Sequence, residues 1–201
     1  MRYFLYCFTA FVVLRALFVS FPSHPIFSLL SSLAILFVFF LYYFIRDPQR
    51  TPPAGDFFLA PADGKVLPIK IEDGWIKINI FMNFDNVHVQ RVPYSGKVVS
   101  IEKIDGPSKK AYLEDAAHNK RVITTIQTRI GNILVRQLTG IVIRRIITYP
   151  EVGEELKAGD RFGCIMFGSR VELWLPADKV EIMIKENQPV TAGITIVARP
   201  K

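Results

Sequence analysis

Cysteine, histidine and long amphipathic helical patterns are all scarce in this sequence of 201 residues. The two cysteines, Cys7 and Cys164, fall one in a hydrophobic run and one in an apolar strand pattern, which excludes a disulfide framework and suits a reducing cytosol. The histidines number three, His24, His88 and His118, and no metal site is expected. A nucleic-acid partner is not expected either: the formal net charge is +7, but the Lys and Arg are scattered and no nucleic-acid motif accompanies them. A basic domain beside an anionic leaflet gains roughly 1 kcal/mol per nearby Lys or Arg, so the charge favours a lipid-facing role.

What the chain has in excess is apolar residues, 50% of the total, and they are concentrated at the front. Residues 3–21 are almost wholly apolar, and after Pro22-Ser23-His24-Pro25 a second run, 26–45, contains no charge. Each approaches the ~20 residues a helix needs to cross a ~30 Å hydrocarbon core. No small-x-small cleavage site follows the first run, which argues against a removable signal peptide. Arg15 lies inside that first run, where a charge is costly unless it snorkels, so this is the segment with a claim to lie in the interface instead. Arg2 precedes the pair, Arg46 and Arg50 follow it, and the loop between has no Lys or Arg. By the positive-inside rule this predicts a transmembrane helical hairpin in the inner membrane, with both ends cytosolic. The expected organisation is therefore an anchor over 1–50 and a cytosolic domain over 51–201.

From Thr51 onward Pro and Gly recur about every ten residues, with β-branched runs between them. The spacing predicts strands at 65–71, 75–81, 97–104, 122–128, 133–138 and 141–148, hence a mainly β, antiparallel barrel or sandwich. The best helix candidate is short, at 109–117. Ala62-Asp63-Gly64-Lys65-Val66 and Tyr94-Ser95-Gly96-Lys97-Val98 repeat one turn-plus-strand signal, and Leu156-Lys157-Ala158-Gly159 and Val190-Thr191-Ala192-Gly193 each introduce a short strand. Such repeats resemble the hairpins of biotinyl and lipoyl barrel-sandwich domains, although no Lys stands clearly at a carrier position and Lys185 is the nearest. Duplication and plain hairpin punctuation both account for them.

The stretch from Arg161 to Pro176 reads as a strand, a Gly168-Ser169 break and a second strand closed by proline. In isolation the dipeptide is an ordinary turn or bulge. Its company is more specific. Phe167-Gly168-Ser169-Arg170-Val171, ending in Leu175-Pro176, resembles the processing site of short phosphatidylserine decarboxylases, and Phe44-Ile45-Arg46-Asp47-Pro48-Gln49-Arg50-Thr51-Pro52-Pro53 resembles their post-membrane signature. Ala60-Pro61-Ala62-Asp63-Gly64-Lys65-Val66 is similar to the family's aspartate motif, and Met82 to Pro93, through Asp85, His88 and Arg91, to its histidine motif. Asn119-Lys120-Arg121 is a weaker echo of another segment. The blocks keep the family's order from about residue 40 to the C-terminus.

The resemblance implies a pyruvoyl enzyme made as a zymogen. Ser169 Oγ attacks the Gly168 carbonyl, the ester breaks by β-elimination, and hydrolysis of the dehydroalanine leaves a ketone at the new N-terminus, so Ser169 becomes the pyruvoyl cofactor. Glycine at 168 tolerates the close approach this needs. The hydroxyl requires a base and an orienting group, and His88 and Asp63 resemble these, giving Ser169, His88 and Asp63 as the catalytic set. The bland readings are a solvated His88 opposite Val87 and Val89, and an ordinary Asp63-Gly64 turn. The resemblance further implies condensation of the pyruvoyl carbonyl with the amine of phosphatidylserine, loss of CO₂ and release of phosphatidylethanolamine, with fragments 1–168 and 169–201 staying together. Arg170 and Arg91 are candidate substrate-binding residues. Longer family members carry a second histidine where this chain has Arg91, which leaves the division of labour between cleavage base and decarboxylation acid open among His88, Asp85 and water. Archaetidylserine as substrate, a non-catalytic membrane-tethered adaptor and a homo-oligomer also stay open at this point.

Overall fold

The computed structural model describes residues 25–44, 46–141, 145–165 and 169–201. The chain divides into two compact units, 1–46 and 47–201. In the first, Pro25–Phe44 forms one helix, α1, of 20 residues. It contains no Asp, Glu, Lys or Arg, and its large apolar side chains, from Ile26 and Leu29 to Phe40 and Tyr43, are exposed along its length. Counted on the residues whose side chains are described, no helix is long and apolar enough to cross a membrane, so the expected two-span hairpin is without support in the fold. Its first segment, about 3–21, lies outside the described residues.

The second unit is built of short strands in antiparallel sheets, as expected for a mainly β domain. The first half of the chain supplies β1 (Phe58–Leu59), β2 (Gly64–Val66), β3 (Lys70–Glu72), β4 (Trp75–Met82), β5 (Val89–Arg91) and β6 (Gly96–Ile104). Then come β7 (Arg121–Thr128), β8 (Gly131–Leu138), β9 (Ile146–Thr148), β10 (Glu155–Leu156) and β11 (Arg161–Ile165). The C-terminal stretch adds β12 (Ser169–Pro176), β13 (Val180–Ile182), β14 (Pro189–Val190) and β15 (Ile196–Pro200). A large sheet runs β10-β6-β7-β8-β12-β4-β2-β14, with β3 paired to β4, and two three-stranded sheets have the orders β1-β15-β13 and β5-β11-β9.

The core lies on one face of the large sheet, because side chains alternate sides along a strand. On β4 the inward set is Ile76, Ile78, Ile80 and Met82, and on β12 it is Val171, Leu173 and Leu175, all buried. Full burial of such side chains is worth roughly 1.5–3 kcal/mol each. The register fixes which residues meet: Ser169 lies opposite Met82 and Val171 opposite Ile80 on β4, while Val171 also faces Gln137 on β8. Strand β12 is thus interior to the sheet, paired on both edges.

Three local expectations change. The run 65–71 splits into β2 and β3 around Leu67-Pro68-Ile69, since Pro68 has no N–H for a ladder. Of 141–148 only β9 is a strand among the described residues. The helix expected at 109–117 is replaced by open chain and a short 3-10 turn, Glu114–His118, for a reason given below. The two Gly-Lys-Val openings follow from packing: a Cβ on Gly64 would stand 2.1 Å from the Phe81 carbonyl oxygen, and one on Gly96 2.4 Å from that of Gln127. Each strand begins where only glycine lets it approach its neighbour's backbone.

Candidate active site

The two strands read from 161–176 are present as β11 and β12, and they belong to different sheets; residues 166–168 between them, Gly168 included, lie outside the described residues. Ser169 is the first residue of β12 and its relative exposure is 0%. Its hydroxyl donates to Met82 Sδ at 3.5 Å, a weak acceptor that leaves the oxygen lone pairs uncommitted.

His88 precedes β5, in the turn after β4, so strand alternation does not apply to it. Instead of a solvated face it occupies a buried position, 1% exposed. Its Nδ1 lies 2.9 Å from the Asn86 carbonyl oxygen. A carbonyl can only accept, so Nδ1 is the donor, and in the neutral form of the ring the basic lone pair falls on Nε2.

Ser169 and His88 are joined through two side chains that the sequence reading passed over. Gln90 Nε2 donates to the His88 carbonyl at 2.8 Å and contacts Met82 Sδ at 3.7 Å, on the sulfur that also accepts from Ser169. Gln90 Oε1 accepts from Gln137 Nε2 at 3.0 Å, and Gln137 Oε1 accepts from the Thr148 hydroxyl at 2.7 Å. Both glutamines are fully buried. The relay links two of the three sheets around Ser169: β12, β4 and β8 of the large sheet to β5 and β9 of a small one. Gly163 on β11 makes room for it, since a Cβ there would stand 2.7 Å from Gln137 Nε2. The sequence signal for Gln90 was its place inside the histidine motif, Met82 to Pro93; Gln137 and Thr148 left none.

Asp63 is held elsewhere. Its two carboxylate oxygens accept from Arg50 Nη1 at 2.5 Å and Nη2 at 2.8 Å, and one also accepts from the Ala192 N–H at 2.8 Å. The expected pairing with His88 is not among these contacts; the group seen orienting the imidazole is the Asn86 carbonyl. Arg91, read as a substrate contact, has its guanidinium on Asp47, the Pro48 carbonyl and the Gly159 carbonyl. Asp47 also pairs with Arg161. Residues 47–50 are therefore fastened to the domain by two arginine–aspartate clamps, in which the post-membrane signature meets the aspartate and histidine motifs. Arg170 points away from Ser169, to the opposite face of β12, where it pairs with Glu172 at 2.6 Å. The thiol of Cys164 is half-buried, and burial, with the Asp47 charge second, pushes its pKa up, so it stays protonated and a poor nucleophile. No cluster of metal-ligating side chains occurs among the described residues.

The arrangement can therefore present a hydroxyl in a dry setting at a strand start, linked through Met82 and Gln90 to the main chain of a histidine whose Nδ1 faces the Asn86 carbonyl. Comparison with known proteins shows what the chain as a whole is similar to. The phosphatidylserine decarboxylase family model matches residues 37–198. A relative from Methanothermobacter thermautotrophicus, provisionally named an archaetidylserine decarboxylase proenzyme, is 40% identical over 78% of each chain. Phosphatidylserine decarboxylase proenzymes of Thermobifida fusca and Streptomyces avermitilis are each 40% identical over 78% of this chain, and over 72% and 73% of their own lengths respectively. No solved structure matches.

Proposed function

The chain belongs to the phosphatidylserine decarboxylase family and is a decarboxylase, and we propose that it matures by cutting itself between Gly168 and Ser169 to become pyruvoyl-dependent. Its substrate is phosphatidylserine and its products are phosphatidylethanolamine and CO₂. The observation that carries this reading is Ser169, fully buried at the first position of an interior strand and joined through Met82 and Gln90 to His88.

In the cleavage step His88 Nε2 takes the proton of Ser169 Oγ, and the Asn86 carbonyl keeps the imidazole in the tautomer able to do so. Gln90 fixes the His88 main chain. Asp63 acts as a positioning residue through Arg50 instead of touching the imidazole. A ketone at position 169 fits this setting, because the residue is shielded from solvent and lies against a thioether. The pyruvoyl group supplies a carbonyl that accepts the electrons released when the carboxylate leaves as CO₂. The ladder supports lasting association of the fragments: β12 pairs with β4 over eight positions and with β8 over five, β15 lies between β1 and β13, and β14 pairs with β2.

The wild-type protein's intact mass tests this directly. The expected masses are those of 1–168 and of 169–201 with a blocked, pyruvoyl N-terminus; folded protein of full length with an unmodified serine would overturn it. The Methanothermobacter relative's name gives reason to assay archaetidylserine beside the diacyl lipid, because the reacting headgroup is the same in both.

Attachment to the cytosolic face of the inner membrane is part of the proposal. Exposed apolar side chains over the length of an uncharged helix, α1, support it, since in water such a surface is unfavourable all round. Alkaline extraction of membranes should leave the chain in the pellet. Recovery in the soluble fraction would sink the idea.

A further inference from the structure

A pocket of about 530 Å³ opens on the outer face of the large sheet, the face opposite Ser169, and its lining comes from β3 and the link before it, β4, β7, β8, β12 and the segment preceding β7. Its floor is a buried ion triad. Glu172, 3% exposed, accepts from Arg136 and from Arg170, each at 2.6 Å, and from Trp174 Nε1 at 3.1 Å. One carboxylate therefore answers two arginines, and the floor holds a surplus positive charge away from water, which is costly without an anion.

The remaining donors of the floor are only partly met. Arg170 Nη1 reaches the Leu113 and Ala111 carbonyls at 3.0 and 3.4 Å, and Arg136 Nη2 the Ala117 carbonyl at 3.4 Å. The buried Nε atoms of Arg136 and Arg170 have no partner. Burial lowers the Arg136 pKa, and the nearby Arg121 and Arg170 charges lower it further against the pull of Glu172.

The wall adds a second uncompensated charge. Arg121 has its Nε buried without a partner and donates Nη1 only to the Asn119 carbonyl, at 3.2 Å; among the described residues no carboxylate pairs with it. At the rim Lys70 pairs with Glu114 and Lys77 with Glu72, so those charges cancel. Among the Lys, Arg, Asp and Glu of the lining, five cationic side chains against three carboxylates leave a surplus of two.

We propose that this pocket binds a phosphate dianion, as inorganic phosphate or a phosphate monoester, at a site separate from the chemistry at Ser169. A dianion matches the surplus of two, whereas a phosphodiester or a carboxylate leaves one charge unanswered. Guanidinium groups present paired N–H donors to phosphate oxygens, which favours this ligand class over a simple halide. The cover of the pocket is itself fastened: the Asn119 side chain holds both the N–H and the carbonyl of Lys109 and the carbonyl of Thr139, each at 2.8 Å.

The test is calorimetric titration of the full-length protein in detergent with inorganic phosphate, at ionic strength matched with sodium chloride. Saturable binding is expected, weakened about tenfold or more by Arg121→Gln, a change of about 1.4 kcal/mol, and partly restored in Arg121→Lys. Thermal melting shows that both variants fold. Glycerophosphoserine, a soluble diester headgroup, should bind at least about tenfold more weakly than phosphate, the same 1.4 kcal/mol step. Uncut Ser169→Ala protein should bind phosphate as the wild type does, which separates this site from maturation. Absence of saturable binding, equal binding by Arg121→Gln, or tighter binding of the diester would each overturn the proposal.

Discussion

The two faces of β12 hold polar residues in opposite ways. On the inner face Ser169 leads into a neutral relay through Met82, Gln90, Gln137 and Thr148, in which the amides hand hydrogen bonds from one to the next. On the outer face Arg136, Glu172 and Arg170 form a charged triad around one carboxylate. Neighbouring positions of one strand thus serve different ends: the inner face positions a reactive hydroxyl at little electrostatic cost, and the outer face stores charge under a cover. A neutral relay tolerates losing a member better than a triad does, because a buried unpaired charge is far dearer than a buried unpaired amide.

The contrast breaks most sharply at its reactive end. Ser169→Ala should abolish both cleavage and CO₂ release, measured by intact mass and by trapping labelled CO₂, while its urea midpoint stays close to that of an uncut wild-type chain. Next in size, Glu172→Gln removes the only carboxylate of the triad and should cost about 3–5 kcal/mol in urea unfolding. Replacing all three members with apolar side chains of similar volume should recover most of that loss; failure to recover would mean the charges do more than answer one another. Gln90→Leu leaves the His88 carbonyl and Gln137 without their partner and should cost about 1–3 kcal/mol, with slower cleavage followed by mass against time. Thr148→Val, at the far end of the relay, should cost about 1 kcal/mol and leave cleavage nearly unchanged. Equal slowing by Thr148→Val and Gln90→Leu would show that the relay acts as one unit.

The fold was legible where local chemistry decides it. The alternating runs over β4, β6, β7 and β8 and the Gly-Lys-Val openings follow from side-chain period or from the space a Cβ needs. The 109–117 helix was not, because that segment serves the outer face. It turns the carbonyls of Ala111, Leu113 and Ala117 toward Arg170 and Arg136, and a helix over 109–117 would have spent the first two on its own N–H groups. The candidate site divides similarly. Ser169 and His88 stood out by residue type and motif. The partner of Asp63 did not, since Arg50 meets it through a fold-level clamp that no spacing announces, and Gln137 is one more polar residue in a strand until Gly163 is seen to vacate the space beside it.

The place of β12 has a consequence for how the proposed mature protein comes apart. A chain cut before Ser169 would still be zipped along both edges of that strand, but once unfolded its two pieces would drift off separately. Refolding, a first-order event for the uncut chain, would become a second-order encounter whose rate falls with dilution. The protein would then have one easy opportunity to fold, before it cuts itself, and afterwards its lifetime would rest on the height of the unfolding barrier and no longer on an equilibrium.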